Sequence, residues 1–90
     1  MSRYFTYILE LSDQTYYIGY TNNLWQRLSA HNEGRGAKRT RGRSPVLLKY
    51  YESFSSKSEA MKREAALKRL TREGKKMLIE GAHFSILELK

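Results

Sequence analysis

Apolar and aromatic side chains recur with the spacing of β-strands in three parts of the chain. Residues 4–11 (YFTYILEL), 15–20 (TYYIGY) and 46–54 (VLLKYYESF) are rich in aromatic and β-branched side chains, which strands favour. Only the polar residues 12–14 (SDQ) separate the first two segments. A connection this short predicts that they form an antiparallel hairpin.

Three further segments have helical spacing, each with a Ser, Thr or Asn close before it that can cap a helix N-terminus. These segments are residues 24–32, 57–70 and 72–81. Residues 82–90 fit either an extended tail or a short strand. The sequence therefore predicts an α+β fold of order β-β-α-β-α-α, a three-stranded antiparallel sheet flanked by helices. We expect the chain to form a single domain over residues 1–90, with the core of that domain in about residues 4–80.

Composition limits the class of protein. With 90 residues, 40% of them hydrophobic, the chain can bury one core. It has no cysteine, which excludes disulfides and thiolate metal sites and suits a reducing cytoplasm. Neither a secretory signal nor about 18 consecutive apolar residues are present. We expect a cytoplasmic protein with no membrane partner.

Net charge points to a polyanionic partner. Lys and Arg outnumber Asp and Glu by 17 to 9, and the formal charge is +8. Residues 34–43 (GRGAKRTRGR) contain five basic residues and no acidic one, whereas a merely solubilising surface usually mixes the two signs. This distribution favours nucleic acid as the partner. The glycines and Pro45 predict an exposed, mobile loop over 35–45.

Two tyrosines and a glycine share one face of the predicted hairpin. Symmetric closure puts Leu9 opposite Tyr17 and Tyr7 opposite Gly19, with the two phenols as diagonal neighbours. A glycine inside a strand leaves a gap and often marks the close approach of a ligand. The alternative, a β-bulge beside two core tyrosines, stays open on these residues alone.

Two polar residues lie on the apolar stripe of the first helix. Leu24, Arg27, Leu28 and His31 follow i, i+3, i+4, i+7 spacing, which places all four side chains on the packed face. A buried arginine is costly unless it meets an anion. The alternatives are an arginine that extends past Leu28 to solvent and a histidine that hydrogen-bonds a carbonyl.

The second helix contains a similar anomaly. Its apolar stripe is predicted to consist of Ala60, Met61 and Leu67, with Glu64 in the middle. A carboxylate on a packed face either pairs with a cation or holds a metal, and Mg²⁺ is often bound through one or two carboxylates. Phosphodiester hydrolysis uses such a metal, a cation over the phosphate and a base. A tyrosine serves as the base where its pKa is lowered from about 10.

Together these positions resemble the GIY-YIG nuclease superfamily, which includes the amino-terminal nuclease module of the UvrABC excinuclease C subunit. The chain looks most like the small stand-alone bacterial members. The positions that carry the resemblance are TYI (6–8), YIG (17–19), Asn23, Arg27, His31 and Glu64.

The resemblance implies a role for each matching residue. Tyr7 stands where the family has a general base or water-orienting tyrosine, and Tyr17 lies close to the same water. Arg27 matches the arginine that contacts the scissile phosphate. His31 matches a histidine that assists proton transfer in part of the family.

The resemblance further implies that Glu64 binds the metal, Mg²⁺ or Mn²⁺, and that Gly19 keeps the strand open beside the site. Two departures stand out. The first motif has Thr6 in place of its initial glycine. The last asparagine of the chain is Asn32, so the late site asparagine of many active members has no counterpart.

The leading hypothesis is a metal-dependent endonuclease acting on DNA, with DNA repair or recombination as its setting and a partner protein for targeting. Basic residues of the loop and second helix are predicted to grip the nucleic acid: Arg35, Lys38, Arg39, Arg41, Arg43, Lys62 and Lys68. The alternatives are a non-catalytic DNA- or RNA-binding protein on the same fold and a structural basic protein of a larger assembly. Oligomeric state stays open.

Overall fold

The computed structural model describes residues 3–43 and 45–81, apart from the side chain of Arg39. Its elements follow the predicted order, with a 3-10 turn over Lys38–Thr40 added between the first helix and the third strand. The strands and helices are β1 Tyr4–Glu10, β2 Tyr16–Thr21, α1 Leu24–Asn32, β3 Leu47–Phe54, α2 Lys57–Lys68 and α3 Arg72–Glu80. The α+β prediction is confirmed. The prediction for 82–90 lies outside the described residues.

The sheet has the order β2-β1-β3, with both pairings antiparallel. Tyr7 pairs with Gly19 and Leu9 with Tyr17, so the predicted register is confirmed. The pairing of β1 with β2 runs without a shift, and the one irregularity lies between β1 and β3, at Ile8 and Leu9. The β-bulge alternative at Gly19 is therefore wrong.

Helices cover both faces of the sheet, because β1 sends successive side chains to opposite sides. On the α1 face, the buried cluster is Tyr7, Leu9, Leu11, Leu24 and Val46. On the other face, Ile8 and Ile18 pack with Leu67 of α2, and α3 adds Leu78 and Ile79. Central strand β1 thus joins two apolar layers. No helix in the described part of the chain is long and apolar enough to cross a membrane.

Each helix begins at a capping side chain of the predicted type. The Asn23 side chain accepts from the backbone N–H of Gln26 at 3.0 Å, and only two residues separate the end of β2 from the start of α1. Ser56 caps α2 and Thr71 caps α3 in the same way. The short step from β2 into α1 places the first turns of that helix beside the tyrosines of the hairpin.

Two predictions about exposure are wrong. Met61 is 44% exposed, while Ala60 and Leu67 are buried as predicted; Met61 lies one residue, or about 100° of helical rotation, from the stripe that faces the sheet. Residues 35–45 are not exposed throughout, since Gly36 and Thr40 are buried. The 3-10 turn folds this segment back against the end of α1.

Candidate active site

A groove of about 460 Å³ lies at the outer edge of the sheet, beside β2. Strands β1 and β2 and helices α1 and α2 all contribute to its walls. Its lining residues are Tyr4, Tyr7, Tyr17, Gly19, Tyr20, Thr21, Asn22, Arg27, Lys57 and Glu64. Five of the predicted site residues are therefore brought to one cavity, and the sixth, His31, lies directly behind Tyr7.

Gly19 is required by the close approach of Tyr7. A Cβ at Gly19 would lie 2.5 Å from the phenol oxygen of Tyr7 and 3.2 Å from Cε2 of Tyr17. Both distances are shorter than van der Waals contact. The gap predicted at this glycine thus exists, and the Tyr7 hydroxyl occupies it.

His31 links the groove to residues 34–43, which we call the basic segment. Its Nε2 lies 3.2 Å from the Tyr7 hydroxyl oxygen, and its Nδ1 lies 2.8 Å from Oγ1 of Thr40. The Tyr17 ring packs against the imidazole, with 5.3 Å between the ring centroids. The alternative in which His31 hydrogen-bonds a carbonyl is wrong, because both of its partners are hydroxyls.

Burial keeps both members of the Tyr7–His31 pair uncharged at neutral pH. Desolvation raises the pKa of Tyr7 to about 12, although a hydrogen bond from Arg27 acts in the opposite direction. Desolvation, helped by the charge of Arg27, lowers the pKa of His31 to about 4. Burial therefore has a larger effect on the pKa of Tyr7 than Arg27 has, and Tyr7 is a neutral phenol rather than a phenolate at neutral pH.

Arg27 turns into the groove rather than past Leu28 to solvent. It lies close enough to the hydroxyl of Tyr7 to oppose the rise in the pKa of that group, and it is half-buried on α1. Its Nε is buried and meets no hydrogen-bond acceptor among the described residues. A buried donor without an acceptor is costly, and the positive charge of the same guanidinium attracts an anion to the groove that Arg27 lines.

Glu64 provides a carboxylate that is available to bind a metal ion, because few cationic side chains pair with it. Its side chain is 20% exposed, and its nearest cation is the ammonium of Lys68 at 3.5 Å. The described residues contain no cluster of three or more His, Cys, Asp or Glu side chains. One carboxylate fits Mg²⁺ or Mn²⁺ held largely by water and substrate phosphates, and does not fit a closed zinc site.

The predicted nucleic-acid contacts are mostly exposed, but several are paired with carboxylates. Arg35 forms an ion pair with Glu33 at 2.7 Å, and Arg43 with Asp13 at 3.0 Å. Arg35, Lys62 and Lys68 each line a cavity that shares at least one lining residue with the groove. The exposed predicted residues are Arg35, Lys38, Arg41, Lys62 and Lys68.

Sequence reasoning did not single out five of the residues that line the groove, nor Thr40 behind it; the five are Tyr4, Tyr20, Thr21, Asn22 and Lys57. Lys57 lines the groove from the first residue of α2, and its place directly after the cap Ser56 was the available signal. Thr40 contacts His31, and no sequence signal pointed to it. Asn32 takes no part in the groove lining; its Oδ1 accepts from the Val46 N–H at 2.7 Å and fixes the entry to β3.

The hairpin, the tyrosine pair and the facing arginine and glutamate together define a class of catalytic domain. The sequence profile of the GIY-YIG catalytic domain matches residues 3–77, and the chain belongs to this family.

Named relatives and solved structures extend this assignment along most of the chain. The chain is 56% identical to the UPF0213 protein VNG_2274C of Halobacterium salinarum, covering 80% of this chain and 94% of that protein. It is 48% identical to the UPF0213 protein SH2523 of Staphylococcus haemolyticus, covering 89% and 98%. The solution NMR structure of UPF0213 protein BH0048 from Bacillus halodurans superimposes with a TM-score of 0.57 at 42% identity, covering 87% and 83%. Protein EF2693 from E. faecalis gives a TM-score of 0.60 at 38% identity, covering 94% and 97%.

Proposed function

We propose that the protein is a divalent-metal-dependent endonuclease that hydrolyses DNA phosphodiester bonds, with repair or recombination as its setting. One observation carries the proposal. Arg27 lines a groove together with Tyr7 and Glu64, so a cation, a phenol and a carboxylate border the same cavity. Membership of a family of catalytic domains supports the same conclusion.

In this proposal each residue acts through a named atom. Arg27 donates to a non-bridging oxygen of the scissile phosphate and stabilises the charge that develops there. The hydroxyls of Tyr7 and Tyr17 orient the attacking water. Glu64 would hold Mg²⁺ or Mn²⁺, which supplies positive charge at the leaving oxygen when bound.

The neighbouring cavities suggest the path of the substrate strand. One adjoining cavity shares Arg27 with the groove and contains Arg35, while another shares Tyr17 and contains Lys68 and Lys75. A nucleic-acid strand that follows the β2 edge would therefore meet cations on both sides of the scissile phosphate. We propose that the other predicted cations help to attract the polyanion: Lys38, Arg39, Arg41, Arg43 and Lys62.

A second candidate is a nucleic-acid-binding protein that does not cut. The ion pair between Glu64 and Lys68 favours it, because a carboxylate with a structural partner has no need of a metal. This alternative requires salt-sensitive binding to DNA or RNA without metal-dependent cleavage.

The test is cleavage of labelled single-stranded, duplex and branched DNA at low salt with Mg²⁺ or Mn²⁺. Glu64→Gln removes the carboxylate charge and keeps the shape, and Glu73→Gln makes the same change at an exposed position of α3. We expect cleavage by the parent protein and by Glu73→Gln, and binding without cleavage by Glu64→Gln. Full activity of Glu64→Gln would overturn the role of this carboxylate, and binding with no cleavage by the parent would favour the second candidate.

A further inference from the structure

The hydroxyl proton of Thr40 can be placed from its neighbours. Thr40 is fully buried, and its Oγ1 lies 2.8 Å from the carbonyl oxygen of Ala37. A carbonyl has no proton to give, so the hydroxyl donates to Ala37. Toward His31, at 2.8 Å, the same oxygen therefore acts as an acceptor.

This assignment fixes the tautomer of His31. Because Thr40 accepts, Nδ1 of the imidazole must carry the proton. A neutral imidazole has only one N–H, so Nε2 is left with a free lone pair. The Tyr7 hydroxyl, 3.2 Å away, is then the donor, and its proton already points at a base.

The surrounding backbone holds this arrangement in place. The N–H of Arg35 donates to the carbonyl of Ala30 at 2.8 Å, which folds the basic segment over the end of α1. A Cβ at Gly36 would lie 2.7 Å from Cγ of His31, so the backbone packs directly on the ring. The 3-10 turn then presents Thr40 to Nδ1.

We propose that Thr40 is a positioning residue for hydrolysis, which holds His31 as the Nδ1–H tautomer so that Nε2 accepts the phenol proton of Tyr7. The proposal rests on the proposed function and deepens it. The family resemblance gives His31 a part in proton transfer, and the geometry adds the residue that decides which nitrogen takes part.

The step balances as a two-proton transfer. The water oxygen forms the new bond to phosphorus with its lone pair and gives its proton to the phenol oxygen of Tyr7. The original phenol proton moves to Nε2 of His31, which becomes an imidazolium. The bond from phosphorus to the leaving oxygen breaks with its electron pair, and that oxygen takes a proton from solvent.

The opposite tautomer would block this route. With the proton on Nε2, His31 would donate to Tyr7 instead of accepting from it, and the phenol proton would have no base. Loss of the Thr40 oxygen should therefore impair the reaction although Tyr7, His31 and Arg27 are all still present.

The experiment combines imidazole ¹⁵N NMR with cleavage kinetics on the full chain. The sequence has two histidines, so His83→Gln assigns the His31 signals. Thr40→Val removes the oxygen at nearly constant shape, and Thr40→Ser retains it as the matched control. We expect the Nδ1–H pattern in the parent and in Thr40→Ser, and a shift toward Nε2–H in Thr40→Val. The kcat of Thr40→Val should fall about 10²-fold, with little change in KM.

The possible outcomes test the tautomer, the role of Thr40 in the reaction and the nuclease function separately. An Nε2–H pattern in the parent protein would overturn the proposal, whatever Thr40→Val does and even if that variant fails to fold. A changed tautomer in Thr40→Val with unchanged kcat would overturn the role of Thr40 in the reaction and leave the nuclease function standing. Absence of cleavage by the parent would overturn the proposed function and this catalytic role together, while the NMR pattern alone would decide the tautomer.

Discussion

Tyr7 meets a different constraint on each side of its phenol ring. Gly19 leaves the space that the hydroxyl occupies, His31 takes its hydrogen bond, and Arg27 approaches the same oxygen. The phenol is almost completely buried, so it cannot move aside to accommodate a change in any of these neighbours.

We predict that Gly19→Ala displaces the Tyr7 ring and breaks its hydrogen bond with His31. The added methyl would overlap the phenol, which should cost about 1–3 kcal/mol of stability. Cleavage should fall about 10²-fold, the effect of a displacement of about 1 Å at a reacting group. Denaturant unfolding and cleavage assays measure the two effects.

Gly74→Ala is the matched control, since a Cβ there meets only Leu70 and Thr71, just before α3, at ordinary contact distances. Alanine should stabilise that helix by up to about 1 kcal/mol and leave cleavage unchanged. Equal activity of the two variants would show that the space at Gly19 has no part in the site.

We predict a loss of stability in acid that comes from His31. Its pKa is about 4 in the folded protein against an ordinary value of 6.5, so the unfolded chain binds the proton more readily. The contribution is fully present above pH 6.5 and is lost as the pH falls toward 4, in total about 3 kcal/mol. The groups facing the imidazole are Tyr7 from β1, Tyr17 from β2 and Arg27 from α1.

Denaturant unfolding at pH values between 7 and 4 measures this effect in the parent protein and in His31→Gln. The variant should lose the part of the slope that belongs to the imidazole. Parallel profiles for the two proteins would contradict the prediction. The pKa of Asp13 is lowered, mainly by its hydrogen bonds with Thr15. Its effect on stability therefore falls at lower pH than that of His31 and is the same in both proteins.

At the scale of the elements, a buried hydrogen bond joins α2 to the central strand next to the site. The hydroxyl of Thr6 donates to the carbonyl of Ala60 at 2.7 Å. Ala60 lies one helical turn before Glu64, while Thr6 directly precedes Tyr7 in β1. This bond therefore ties the turn of α2 that precedes the carboxylate to the part of β1 that carries the phenol.

We predict that Thr6→Val weakens both stability and metal-dependent cleavage. Valine keeps the shape but not the donor, which should cost about 1 kcal/mol, measured by the denaturant midpoint. Thr6→Ser retains the hydroxyl and should keep most of the activity. If Thr6→Val required no more metal for half-maximal cleavage than the parent, this bond would have no role in placing Glu64.

The elements themselves could be predicted because their signals are local. Alternation, capping residues and the short turn were enough for the hairpin register, which put Tyr7 opposite Gly19. Met61 was misjudged because helical spacing alone does not show where a narrow stripe ends. Thr40 could not be found, since its contact with His31 depends on how a glycine-containing segment folds back, and no periodicity encodes that path.

At the scale of the whole molecule, the formal charge is +8, but the basic side chains are not equally able to attract a polyanion. Cations in ion pairs, such as Arg43 with Asp13, attract a polyanion less than unpaired ones do. Lys57 stands in the groove, whereas Lys49 lies on β3, at the other edge of the sheet from β2 and 3.9 Å from Glu10.

We predict that Lys57→Gln weakens DNA binding and reduces the slope of log K against log salt by about 0.9 for duplex DNA. Lys49→Gln makes the same change in net charge and should leave the slope nearly unchanged. Fluorescence anisotropy titrations at several salt concentrations give both slopes. Identical slopes for the two variants would mean that bulk charge, and not the groove, determines binding.

The central position of β1 also orders the events of folding. Its hairpin with β2 closes across a few residues, with the Leu11 N–H bonded to the Thr15 carbonyl at 2.8 Å, while pairing Leu9 with Leu48 of β3 closes a much longer loop. Because the entropy of closure grows with loop length, we expect the hairpin to form in the folding nucleus and α2 to dock afterwards. The phenols would then meet early on the folding pathway, and the carboxylate of Glu64 would join them last.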